Sequence, residues 1–69
     1  MIEIKLDGKK VTMREPKVSD LMMLDSIEGE MAKEAALVSS LCELPLDEVS
    51  GLAYSKYKPF KKAVTAFLA

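Results

Sequence analysis

Apolar and polar residues alternate strictly at the start of the chain. Ile2, Ile4 and Leu6 are set against Glu3, Lys5 and Asp7. A period of two predicts a strand with one apolar face. Asp7-Gly8 follows and predicts a tight turn, because glycine adopts the positive φ that hairpin turns demand. Val11 and Met13 then alternate with Thr12 and Arg14 up to Glu15. Together these residues predict a β-hairpin over about 2–15. Pro16 stops it, because proline donates nothing to a ladder and holds Glu15 extended.

The period then lengthens to that of a helix. Ser19 is the expected N-cap of a helix over about 19–28, with Asp20 favoured by the dipole in its first turn. Leu21, Leu24 and Ile27 are spaced helically, and Gly29 is the expected stop. A second helix is expected over about 30–43. Met31, Ala35, Val38 and Cys42 form one apolar stripe, and Leu37, Leu41 and Leu44 form its neighbour. So wide a stripe predicts a central helix packed on two sides. Leu44-Pro45 breaks it. A short helix over about 46–52 follows, opened by Asp47 and Glu48 and closed near Gly51. Ser55 is the expected cap of a last helix over about 56–68. Tyr57, Phe60, Val64, Phe67 and Leu68 share its apolar face, and Pro59 falls within its expected first turn. The expected architecture is α+β, mainly α: an N-terminal β-hairpin followed by three or four short helices packed around one small core, in a single domain over 1–69.

Size sharpens this picture. A chain of 69 residues has a small core, and at this length a staple or a partner often supplies missing stability. No staple is evident. The single cysteine, Cys42, has no second thiol to pair with, and the chain has no histidine. Cys42 therefore reads as a core residue. The apolar content of 49% and charged content of 30% are those of a globular protein. No apolar run approaches the length of a membrane helix, and the N-terminus has no apolar signal core, so a cytoplasmic protein is expected.

Charge is segregated. Residues 1–19 hold five basic and three acidic groups, residues 20–55 eight acidic groups and one lysine, and residues 56–69 four lysines and no acid. Two solvated helix faces that attract each other account for this pattern, and so does a surface that steers a partner. Lys56, Lys58, Lys61 and Lys62 beside Tyr57 and Phe60 raise the question of nucleic-acid binding. The aromatic residues lie on the apolar face and the chain as a whole is acidic, which argues against it.

Catalytic chemistry finds no foothold. Without histidine the commonest general base and metal ligand are missing. Ser39-Ser40 has no base in reach and sits within an apolar helix. Glu28, Glu30 and Glu34 lack the loop spacing of a calcium site, and the three glycines form no phosphate cradle. No cofactor and no metal are expected. Five methionines point instead to a surface that adapts to apolar partners. Met22 and Met23 are adjacent on a helix, so they do not both face a narrow core stripe.

Four segments in order carry a family resemblance: M-R-E-P-K-V-S-D-L over 13–21, E-A-A-L-V-S-S-L-C-E-L over 34–44, D-E-V-S-G-L over 47–52, and Y-K-P-F-K-K-A-V-T-A-F-L over 57–68. This order resembles the small tail assembly chaperones of long-tailed bacteriophages and prophages, particularly those of Mu-like contractile-tailed phages. Lys56 departs from the pattern, since members often carry an aspartate directly before the last tyrosine. The resemblance implies a non-enzymatic protein of the host cytoplasm, absent from the mature virion. It would bind the tape measure protein, and meet the tail tube protein as the tube grows. It also implies self-association or pairing with a frameshift-extended form, and the end at Ala69 suits the short form. The contact surface expected on this reading comprises Met13, Arg14, Met22, Met23, Lys56, Lys58, Lys61 and Lys62. The alternatives are a regulator that binds nucleic acid through the last helix and a structural virion component that oligomerises through the hairpin edge.

Overall fold

A computed structural model describes residues 1–69. The hairpin forms as its alternation predicts. Strands β1 (Ile2–Leu6) and β2 (Lys9–Met13) pair antiparallel, with Ile4 opposite Val11 and Leu6 opposite Lys9. The two-residue turn has positive φ at both Asp7 (50°) and Gly8 (81°). That is the signature of a type I′ turn, whose twist matches the strands. Four helices follow: α1 (Val18–Met23), α2 (Glu30–Cys42), α3 (Leu46–Ser50) and α4 (Tyr54–Leu68), with a 3-10 turn at Leu24–Ser26 after α1. The fold is α+β, mainly α, as the periodicity predicts.

α2 is the central element and packs against β2, α1, α3 and α4. The core draws Ile4, Leu6 and Met13 from the hairpin, Leu37, Val38, Leu41 and Cys42 from α2, Val49 from α3, and Tyr57, Phe60, Ala63 and Val64 from α4. α2 and α4 thus bury most of the stripe their spacing marks out, whereas the only buried residue of α1 is Asp20. Met31 and Leu68, both expected on buried stripes, stand 53% and 50% exposed. Met31 lies on the first turn of α2, whose core residues begin at Leu37.

Helix ends differ most from expectation. α1 begins at Val18 with Lys17 as N-cap, so Ser19 lies inside the helix. The capping acceptor is Asp20, whose carboxylate takes the Lys17 backbone N–H at 2.8 Å. An acid at the third helical position thus satisfies a first-turn donor in place of the serine. Gly29 does not stop α1, which has already tightened into the 3-10 turn. Its positive φ of 96° instead opens α2. At the far end of α2, Glu43 takes the left-handed conformation that usually selects glycine, and Leu44 N–H returns to the Ser39 carbonyl at 3.1 Å. Ser39 Oγ donates to the Leu44 carbonyl at 2.6 Å, so this serine ties the turn. α4 begins at Tyr54 with Ala53 as N-cap, not at a Ser55 cap. Pro59 therefore sits in the second turn. Its missing N–H leaves the Ser55 carbonyl to water, which both exposed residues allow.

Candidate partner-binding surface

The residues singled out in the sequence fall into three groups. Met13 is fully enclosed, with 0% exposure. It fills the core beneath the hairpin and offers no side chain to a partner, which removes it from the contact surface. Its period-two position was the signal for that.

Arg14 acts as an internal clamp. Its guanidinium donates to Asp20 through both terminal nitrogens, at 2.8 and 2.9 Å, and reaches Ser40 Oγ at 3.4 Å. The Arg14 backbone N–H donates to the Leu41 carbonyl at 3.1 Å. The hairpin exit, the start of α1 and the last turn of α2 thus meet at Arg14, whose planar fork grips Asp20 in the geometry in which arginine is most specific. The Arg14 hydrogen bonds, followed by that from Lys17 N–H, hold the Asp20 carboxyl well below the usual carboxylate range. A lowered folded-state pKa contributes stability above the unfolded value of about 3.9 and loses it as pH falls through the folded value. Asp20→Asn is therefore expected to lower the melting temperature by several degrees at pH 7 and to flatten its fall below about pH 4, as read by circular dichroism.

The lysines of α4 are largely engaged within the molecule. Lys56 pairs with Asp7 in the hairpin turn, and Lys61 reaches Glu34 at 3.4 Å. Lys58 Nζ lies 5.7 Å above the Tyr54 ring centroid. Lys62 makes no ion pair. Each pair is exposed enough to contribute little singly. Two of the four α4 lysines thus meet acids of other elements, Asp7 in the hairpin turn and Glu34 on α2.

Met22 and Met23 do face solvent, 65% and 43% exposed. Together with Val18 and Leu21 they make an apolar ledge on α1. A second apolar feature is better formed. Met31, Ala32 and Ala35 of α2, Val49 and Ser50 of α3, and Leu52, Tyr54 and Tyr57 enclose an open groove of about 340 Å³. Seven of these eight residues are hydrophobic. Met31 and Tyr54, both about half exposed, form its lips. Tyr57 forms part of its wall and is locked in place. Its hydroxyl donates to Glu34 Oε1 at 2.7 Å, and burial, reinforced by that bond, raises its pKa. The ledge and the groove lie on different sides of α2, since Ser40 meets Asp20 of α1 while Ala32 and Ala35 line the groove with α3. Sequence reading missed the groove because Met31 belongs to an apolar stripe and Tyr54 falls before the expected start of the last helix.

No group of three His, Cys, Asp or Glu residues is placed to hold a metal ion. Cys42 is buried, and burial pushes its thiol up to about 11. Its alkylation by iodoacetamide at pH 8 is expected to run about two orders of magnitude slower in the folded than in the denatured chain, because so little thiolate is present. No helix is long and apolar enough to cross a membrane.

The fold is thus a small α+β, mainly α scaffold that carries one open apolar groove with half-exposed lips. The chain belongs to the phage tail assembly chaperone proteins described as E, or 41 or 14, whose family profile matches residues 4–69. It therefore has a role in tail assembly and acts on phage tail proteins. Searches of curated proteins and of solved structures returned no significant match.

Proposed function

We propose that this chain is a non-enzymatic chaperone that holds an amphipathic helix of the tape measure protein in the groove between α2, α3 and α4. The observation that carries this reading is the groove itself: seven apolar lining residues, open to solvent, with a methionine and a tyrosine at its lips. A long helical partner exposes apolar stripes that aggregate when uncovered. The groove matches such a stripe in kind, taking side chains spaced at i, i+3 or i+4. Methionine adapts to varied side chains, which suits one small protein covering many successive segments of a long one. Each copy binds weakly and leaves as the tail tube protein takes its place. The chain works in the host cytoplasm and is absent from the finished virion.

The α4 lysines support this reading over nucleic-acid binding. Lys56 and Lys61 are engaged by Asp7 and Glu34, which takes two of the four α4 lysines out of a phosphate-binding surface. The test is co-expression of the tape measure protein of the native locus with and without this chain. The tape measure protein is expected in the soluble fraction, bound to the chain, only when the chain is present. Equal solubility without it would overturn the proposal.

A further inference from the structure

The two-stranded hairpin leaves the outer edge of each strand unpaired, and the chemistry of the β1 edge is specific. In a two-residue hairpin the pair flanking the turn, Leu6 and Lys9, is hydrogen-bonded, and bonded and non-bonded pairs then alternate. Ile4–Val11 and Ile2–Met13 are therefore the other bonded pairs. Glu3 and Lys5 sit at the non-bonded positions, so their backbone N–H and C=O groups point outward from β1. No proline or bulge interrupts this edge. Beside it an open groove of about 560 Å³ runs between β1 and α4, floored by Ala63 and Ala66.

We infer that the free edge of β1 is a dimer seam that pairs antiparallel with β1 of a second copy, centred on Ile4. Register decides the occupant. With Ile4 opposite Ile4 of the second copy, Glu3 of each faces Lys5 of the other. Both are residues whose backbone groups point outward, so the new ladder and the existing one do not compete. A shift toward the N-terminus sets Glu3 against Glu3, and a shift toward the turn sets Lys5 against Lys5. Like charges directly opposite are destabilising. One register therefore satisfies both the backbone and the charges, and it is self-complementary, as a two-fold interface requires. It also keeps Ile2, Ile4 and Leu6 on the inner face of a four-stranded sheet, the face that already packs on the core.

The free edge of β2 lacks this property. Pairing it with itself about Val11 sets Lys10 against Thr12 and Lys9 against Met13, so no opposite charges meet across it. At its end the Arg14 N–H is already taken by Leu41. The β1 seam shares no residue with the groove proposed for the tape measure. The inference stands independently of that proposal, and a dimer would present two such grooves to one long partner.

Sedimentation equilibrium of the full chain at low salt tests it. The wild type is expected to dimerise. Lys5→Glu sets glutamate against glutamate twice across the two-fold and should weaken the dimer roughly tenfold, as should Glu3→Lys. The double variant Glu3→Lys/Lys5→Glu restores opposite charges and should regain the wild-type association. Circular dichroism checks that each variant folds. In a mixed-label sample, a strong nuclear Overhauser effect between Ile4 Hα atoms of the two copies is expected, because a non-bonded antiparallel pair brings them together. A wild type that stays monomeric at all concentrations would overturn the inference. So would a double variant no better than the singles, or single variants that dimerise as the wild type does.

Discussion

Met31→Glu/Tyr54→Glu is expected to abolish retention of the tape measure protein while leaving the fold intact. Both side chains are about half exposed, and substitutions at such positions usually change stability by about 0.5 kcal/mol or less. Binding is another matter. Apolar and aromatic anchors at the centre of an interface contribute about 2 kcal/mol or more each. Two carboxylates at the lips would meet the partner's apolar stripe unpaired, so affinity should fall about 100-fold or more. The melting curve should stay near that of the wild type. Met22→Glu/Met23→Glu, on the ledge of α1 outside the groove, is the matched control and should retain the partner. Loss of binding in both variants would mean that the partner wraps the molecule and does not seat in the groove.

Phe60→Ala is expected to unfold most of the chain at 25 °C. Phe60 has 0% exposure and lies at the centre of the core, 6.5 Å from the Tyr57 ring centroid. Truncating a buried phenylalanine costs about 3–5 kcal/mol through lost transfer energy and the cavity left behind. A single core of this size contributes only about 3–5 kcal/mol of net stability, so the two terms are comparable. The far-ultraviolet helical signal should collapse, and the tape measure protein should be lost with it. This variant thus loses binding by unfolding, whereas the groove variant loses it while folded. If Phe60→Ala melts within a few degrees of the wild type, the core does not depend on Phe60 as its burial implies.

The parts of this fold that local periodicity controls are visible in the chain. Ile2, Ile4, Leu6 and Met13 mark the hairpin face, and Asp7-Gly8 marks its turn. Leu37, Val38 and Leu41 mark the buried side of α2, and Tyr57, Phe60 and Val64 that of α4. Tertiary geometry decides the rest. Ser19 and Ser55 are good caps by type, but each falls one or two residues inside a helix. Asp20 is chosen instead because Arg14 and Lys17 N–H both converge on its carboxylate. Arg14 looked like a surface residue because its partners lie six and twenty-six positions away. The candidate groove was hidden for the same reason. Its walls come from three helices, and Met31 stands exposed on the first turn of α2, ahead of the core residues that begin at Leu37. The edge of β1, in contrast, was legible as a feature, but its charge register becomes visible only once the hairpin pairing is known.

Site-specific photocrosslinking tests the central claim most directly. Benzoylphenylalanine in place of Tyr54 puts the probe at the lip of the groove, and the same probe in place of Met22 puts it on the ledge of α1. Each variant would be co-expressed with the tape measure protein, irradiated, and the adducts mapped by mass spectrometry. The account predicts a strong adduct from position 54, on an apolar helical stripe of the tape measure protein, and little or none from position 22. An adduct from position 22 without one from position 54 would contradict it.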